Sequence, residues 1–245
     1  MMATKASEKP KKDCKPDITG DFSEFIADLV TYDDIEIRKR LAVIIPKNAD
    51  KLPKDMVNLM KDLAKDVEAD VRKEAVESIL ENAENLPRDI VGLVKDLAKD
   101  EDVGVRMQVA EEILENAEKL PKTILNLIKG LAKDTEKEVR IEVAEEILEN
   151  AEKLPLEILN IVKNLANDAD PGVRKEVTSE ILENAEKLPK EILNLILDLA
   201  KDAEEEVKKG FIEEMADNAL KLPKDILATL TTSLLGAEKK TTKKK

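Results

Sequence analysis

Residues 53–86 read PKDMVNLMKDLAKDVEADVRKEAVESILENAENL, and residues 87–120 follow in the same register as PRDIVGLVKDLAKDEDVGVRMQVAEEILENAEKL. The Leu-Pro pair that joins such units recurs at Leu52-Pro53, Leu86-Pro87, Leu120-Pro121, Leu154-Pro155, Leu188-Pro189 and Leu222-Pro223, each 34 residues after the last. No insertion or deletion breaks the register. A fixed period in this range marks a repeat architecture, in which a unit buries its apolar face only by stacking on its neighbours.

Inside the 53–86 unit, Met56, Val57, Leu59, Met60, Leu63 and Ala64 fall at spacings of three and four, which predicts one amphipathic helix. Pro53 suits its first turn, where a missing N–H costs nothing. Val71, Ala75, Val76, Ile79, Leu80 and Ala83 predict a second helix, and Asp66 to Asp70 form the polar corner between them. Each predicted helix has about 12–15 residues, roughly 18–22 Å, and is marginal alone. An acid begins every second helix (Asp34, Glu68, Asp102, Glu136, Asp170, Glu204), where it complements the helix dipole and can cap free N–H groups. The pattern extends back to Phe22, Phe25, Ile26 and Leu29, then Ile35, Ile37, Leu41, Val43 and Ile44. Pro46 stands where later units carry Leu80, Leu114, Leu148 and Leu182, so this first second-helix is expected to kink or end early. Ile226, Leu227 and Leu230 begin a last first-helix.

Apolar residues make up 42% of the chain and aromatics only 2%, so the core must be aliphatic. Charged residues make up 39%, a mix that suits a helical protein. The net charge is −13, and it is unevenly placed: residues 1–17 carry +2, residues 237–245 carry +4, and the body between them −19. Three parts are expected: a disordered basic tail at 1–17, a repeat solenoid at 18–236, and a disordered Lys-rich tail at 237–245. Cys14 is the only cysteine, which rules out an internal disulfide and a thiolate cluster. Met1 to Pro16 holds no apolar run and no stretch approaches a membrane span, so no membrane partner and a cytoplasmic location are expected.

The chain has no histidine, the commonest general base and metal ligand. No Ser/His or Cys/His pair, glycine-rich phosphate loop or dinucleotide fingerprint occurs. The expectation is a non-enzymatic protein with no cofactor, metal or small-molecule substrate. An acidic, aromatic-poor body does not suit duplex nucleic acid; nucleic-acid association through the Lys-rich tails is the alternative reading.

The corner and the start of the second helix repeat as Leu63-Ala64-Lys65-Asp66…Val71-Arg72, Leu97…Asp100…Val105-Arg106, Leu131…Asp134…Val139-Arg140 and Leu165…Asp168…Val173-Arg174. This resembles the HEAT repeat, with its Asp after the first helix and Val-Arg opening the second. The tetratricopeptide repeat shares the length but wants Trp, Gly and Tyr in the first helix, which are not repeated here. The resemblance covers about 18–236 and implies an all-α, right-handed α-solenoid of about six HEAT-like helix pairs with the 34-residue period. It also implies a structural pairing of the arginine ladder (Arg38, Arg72, Arg106, Arg140, Arg174, with Lys208) to the corner acids, and second helices that line the concave surface. The histidine-dependent iron sites of the HEAT-type deoxyhypusine hydroxylases have no counterpart. The asparagine ladder (Asn48, Asn82, Asn116, Asn150, Asn184, Asn218) ends the second helices and is expected to satisfy loose backbone groups.

On a helical wheel from Val71, the face opposite the apolar one carries Glu74, Glu77, Glu81, Glu111, Glu115, Glu142, Glu145, Glu149, Glu176, Glu183 and Glu213. Successive units lie about 10 Å apart, close to the screening length at 0.1 M salt, so these rows should repel one another. They are the candidate binding residues for a protein partner with a basic segment. The first helices present a mixed face with Lys61, Lys95, Lys129 and Lys163.

Overall fold

The computed structural model describes the backbone of residues 18–202 and 205–241, and side chains over 24–200 and 211–232. The expected tail at 1–17 lies outside these residues, as do 242–245. The described residues form helices and turns with no strand. The first unit pairs α1 (Ile18–Val30) with α2 (Ile35–Lys47). The first layer then continues as α3 (Lys54–Asn58) and α4 (Met60–Leu63), α6 (Arg88–Val91) and α7 (Val94–Leu97), α9 (Lys122–Leu125) and α10 (Ile128–Leu131), and α12 (Leu156–Leu159) and α13 (Val162–Leu165). It closes with α15 (Lys190–Leu193), α16 (Leu195–Asp202) and α18 (Lys224–Thr241). The second layer is α5 (Ala69–Glu81), α8 (Val103–Glu115), α11 (Lys137–Glu149), α14 (Pro171–Glu183) and α17 (Glu205–Asn218). Each second-layer helix packs along its predecessor: α2 on α5, α5 on α8, α8 on α11, α11 on α14, α14 on α17.

The second helices follow the wheel. Val71, Ala75, Val76, Ile79 and Leu80 are fully buried, as are Val105, Val109, Ala110, Ile113 and Leu114 one unit later. Aspartates at their starts cap: Asp34 accepts from the Glu36 N–H, Asp102 from Val105 and Asp170 from Gly172. The longer glutamates Glu68 and Glu136 make no such bond. In their corners Asp66 and Asp134 accept from the N–H two residues on instead.

The first helices depart from the expected single helix of three to four turns. Between α1 and α18, which are both continuous, the five others are each split by a tightened step: Leu59 N–H donates to Met56 C=O at 3.1 Å and Asp62 N–H to Leu59 C=O at 3.0 Å, three residues back rather than four. The buried strip explains the pitch. Val57, Met60 and Leu63 are buried at intervals of three, as are Val91, Val94 and Leu97. A 3₁₀-like turn keeps such residues in line, whereas an α-helix would rotate them off the core. In α16 the buried pair Ile196 and Ala200 is spaced by four, and that helix is continuous.

Two further expectations are corrected. Pro46 does not shorten α2, which ends at Lys47, the position at which α5 ends with Glu81. Pro46 sits in the last turn, so only one intrahelical bond is forfeited there. The final helix α18 runs through Thr241, into the first five residues of the expected C-terminal tail.

Gly130 offers a local test. Its neighbours in register are Asp96 and Asn164, and a Cβ at position 130 would meet nothing within 4 Å. Gly130→Ala is expected to stabilise the chain by about 0.5–1 kcal/mol by restricting the unfolded state, read as a higher denaturant midpoint; a lower midpoint would show that α10 does not persist in solution.

Candidate protein-binding face

The second-layer helices are joined at their N-terminal ends by a repeated clasp. Arg72 Nε and Nη2 donate to the two carboxylate oxygens of Asp100 in the next unit, at 2.8 and 2.7 Å. Its Nη1 donates to Asp66 C=O in its own corner at 2.7 Å. Arg38 treats Asp66 and Tyr32 C=O in this way, Arg106 treats Asp134 and Asp100 C=O, and Arg140 treats Asp168 and Asp134 C=O. The bidentate fork suits a planar guanidinium. Burial pushes the Asp134 and Asp168 carboxyls up, but the arginine bonds, backbone N–H groups and nearby guanidinium charge outweigh it and hold both below the usual range. Arg174 keeps its bond to Asp168 C=O; the side chain of Asp202, next in the series, lies outside the described residues. The ladder is therefore a structural joint between units.

The asparagine ladder is structural too. Asn48, Asn82, Asn116, Asn150, Asn184 and Asn218 each donate Nδ2–H to the carbonyl four residues back.

The candidate glutamates stand between these two ladders, and packing of adjacent helices half-buries many of them. Glu81, Glu115, Glu149, Glu183 and Glu213 are exposed. Glu74, Glu77, Glu111, Glu142, Glu145 and Glu176 are half-buried. Burial, with adjacent carboxylates adding to it, raises the Glu77, Glu111 and Glu145 carboxyls, and brings Glu142 to about 7. At the N-terminal edge Lys39 Nζ lies 3.5 Å from Glu74, and the charge of Lys47 acts on Glu77.

A row that the wheel did not select is the most perturbed. Glu112 is only 5% exposed; its carboxylate accepts from Gln108 Nε2 at 3.1 Å and Asn116 Nδ2 at 3.2 Å. Glu146 and Glu180 occupy the same position in the next two units, each accepting from its asparagine, Asn150 and Asn184, at 3.0 Å. Burial, reinforced by neighbouring carboxylates, raises Glu112 and Glu180 to about 7 and Glu146 to about 8. The wheel puts this position on the flank of the apolar face, where the adjoining unit covers it. Its sequence signal was the recurrence of glutamate four residues before four of the six ladder asparagines, Asn116, Asn150, Asn184 and Asn218.

The opposite layer balances its charge. Lys61 pairs with Asp89 at 2.7 Å, Lys129 and Lys122 with Glu157, and Lys190 with Asp225 at 2.6 Å. Among the described residues, no group of three His, Cys, Asp or Glu side chains is placed to hold a metal ion, and no helix is long and apolar enough to cross a membrane.

A family model described as HEAT repeats matches residues 56–148. That stretch is similar to HEAT repeats. HEAT solenoids commonly serve as protein-interaction scaffolds, since stacking leaves an extended surface. No curated protein matches the sequence. Among solved structures, a chain from work on crescerin, whose TOG domain array is described as regulating microtubules in the primary cilium, is similar over 80% of this chain and 89% of its own, at 13% identity and a TM-score of 0.49. An engineered protein from a structural-genomics consortium is similar over 80% of this chain and 97% of its own, at 15% identity and a TM-score of 0.40. Likeness at this level says nothing about a shared partner.

Proposed function

We propose that this chain is a non-enzymatic, cytoplasmic interaction scaffold, a right-handed solenoid of about six helix pairs over 18–236 with basic tails at 1–17 and 237–245. Its second-helix face takes a basic segment of another protein. The observation that carries this reading is the imbalance between layers. In the first helices Lys61, Lys122, Lys129 and Lys190 pair with acids of the next unit, whereas Glu77, Glu81, Glu111, Glu115, Glu142, Glu145, Glu149, Glu176 and Glu183 recur along the second helices and, among the described residues, none of these nine carboxylates is in an ion pair. Such a surface steers and holds a polycation through long-range attraction that salt screens.

The test is the affinity of a Lys/Arg-rich peptide at graded salt. The dissociation constant is expected to rise by about tenfold or more between 50 and 500 mM salt, as screening shortens the reach of the field. Reversing charge at Glu111, Glu145 and Glu149 should weaken binding more than reversing Lys95, Lys129 and Lys163. Equal affinity at both salt concentrations, or equal effects of the two triple variants, would remove the electrostatic reading.

A further inference from the structure

The second-layer helices pack through a buried apolar strip, and beside that strip their charges are opposite at one end and alike toward the other. At the start of α8 the Arg106 clasp ties it to the following corner at Asp134. Glu112 lies six residues further on, about 9 Å along the helix axis, and Glu115 about 13 Å. There the charges that act across units on Glu112, Glu146 and Glu180 are those of carboxylates.

Glu112 faces Glu77 from α5 and Glu111 and Glu115 from its own helix. Glu146 faces Glu111 and Glu115 from α8, with Glu142 and Glu149 beside it. Glu180 faces Glu145 and Glu149 from α11, with Glu176 and Glu183 beside it. On the far side α17 brings Glu213, Glu214 and Asp217. The hydrogen bonds to Glu112, Glu146 and Glu180 all come from neutral amides. Among the described residues the nearby cations stop short of these carboxyls: Lys47 acts on Glu77, Lys119 and Lys153 reach the Oδ1 atoms of Asn116 and Asn150, and Lys221 donates to Glu183 C=O. The packed first-layer segments add Arg88, Asp89, Lys95, Asp96, Lys122, Lys129, Glu157, Lys163, Lys190, Glu191 and Asp198, all exposed.

We propose that the row Glu112, Glu146 and Glu180, with its flanking glutamates, is a pH-dependent spring between repeats. Protonated, the row lets α5, α8, α11 and α14 lie close; ionised, it splays them about the arginine–aspartate ladder, which is the pivot, and so changes the curvature of the array. The device needs no bound partner and stands whether or not the face takes one. Burial places the titration of these three carboxyls at about 7 to 8, while the pivot aspartates Asp134 and Asp168 are held below the usual range and stay ionised throughout.

The test is a pair of spin-label distances in the full chain with Cys14→Ser. One pair, Glu84→Cys with Glu186→Cys, reports the turns beyond the glutamate rows. The other, Val67→Cys with Ala169→Cys, reports the corners beside the pivot. From pH 5.5 to 8.5 the first distance is expected to lengthen by several ångströms and the second to stay constant. Glu112→Gln, Glu146→Gln and Glu180→Gln together should abolish the lengthening. Independently of that variant, 1 M salt at pH 8.5 should shorten the first distance, because screening then acts within about 3 Å. An unchanged first distance, equal lengthening of both pairs, lengthening undiminished in the glutamine variant, or no response to salt would each overturn the proposal.

Discussion

Arg106→Ala is expected to cost about 3–5 kcal/mol of folding stability, the range for removing one partner of a buried ion pair. The Arg106 and Asp134 side chains are 10% and 12% exposed, so this is not a surface bridge of the kind worth little. The guanidinium donates to Asp134 Oδ2 at 2.8 Å, to Asp134 Oδ1 at 3.0 Å and to Asp100 C=O at 2.7 Å. Truncation leaves a buried carboxylate without its cation and a carbonyl without its donor. Arg106→Lys restores the charge but not the planar fork, so it should recover only part of the loss. Pairing Arg106→Met with Asp134→Leu should recover more, since an apolar pair leaves no uncompensated buried charge, but not all of it, because the Asp100 C=O and the Glu136 N–H still lose their partners. Urea unfolding followed by circular dichroism measures all three. A loss below about 1 kcal/mol for Arg106→Ala would show a solvent-screened bridge and refute the joint.

The second large effect is a fall in thermal stability as pH rises from 5 to 8. Glu112, Glu142 and Glu180 are raised to about 7 and Glu146 to about 8 in the folded chain. A carboxyl with a higher folded than unfolded pKa binds more protons when folded, so its contribution is fully present below the unfolded value and is lost as pH climbs through the folded one. That window runs from the ordinary glutamate range, about 4.3, to the values at 7 and 8. One fully buried group changes stability by at most about 1.4 kcal/mol per pH unit within it. Glu112 approaches that slope; the half-buried carboxyls fall short of it because solvent screens them. With about 2–4 °C per kcal/mol for a chain of this size, the melting temperature should drop on the order of 10 °C. The lowered Asp134 and Asp168 work in the opposite sense: their contribution is present above the ordinary aspartate range and is lost as pH falls through their folded values. The stability maximum therefore lies on the acid side of neutrality. Calorimetry at pH 5 and 8 at constant ionic strength decides it, and a flat or rising melting temperature would contradict the burial of these glutamates.

Much of the fold was legible because identical units repeat identical physics. The Leu-Pro register, the Val-Arg string and the apolar spacing of the second helix placed α5, α8, α11 and α14, and the resemblance to the HEAT repeat paired the arginines with the corner aspartates that they clasp. The first helices were misread because a three-residue apolar interval fits either helical pitch over one turn, and only the buried strip Val57–Met60–Leu63 selects the tighter one. Pro46 was overweighted because its penalty depends on how many turns follow it, and here none does. On the face, a single-helix wheel separates core from solvent but does not represent the neighbouring unit. It selected Glu74, Glu77 and Glu81 as solvent-facing and passed over Glu112, Glu146 and Glu180, which the adjacent helices cover.

Stacking of the second helices buries glutamates of successive repeats within reach of one another's charge, and among the described residues no cation is bonded to Glu112, Glu146 or Glu180. Carbon-13 titration of the glutamate side-chain carboxyls in the intact chain tests it most directly. Midpoints of about 7 for Glu112, Glu142 and Glu180 and about 8 for Glu146 are the predicted result. Midpoints for all four at the ordinary glutamate value, about 4.3, would contradict it.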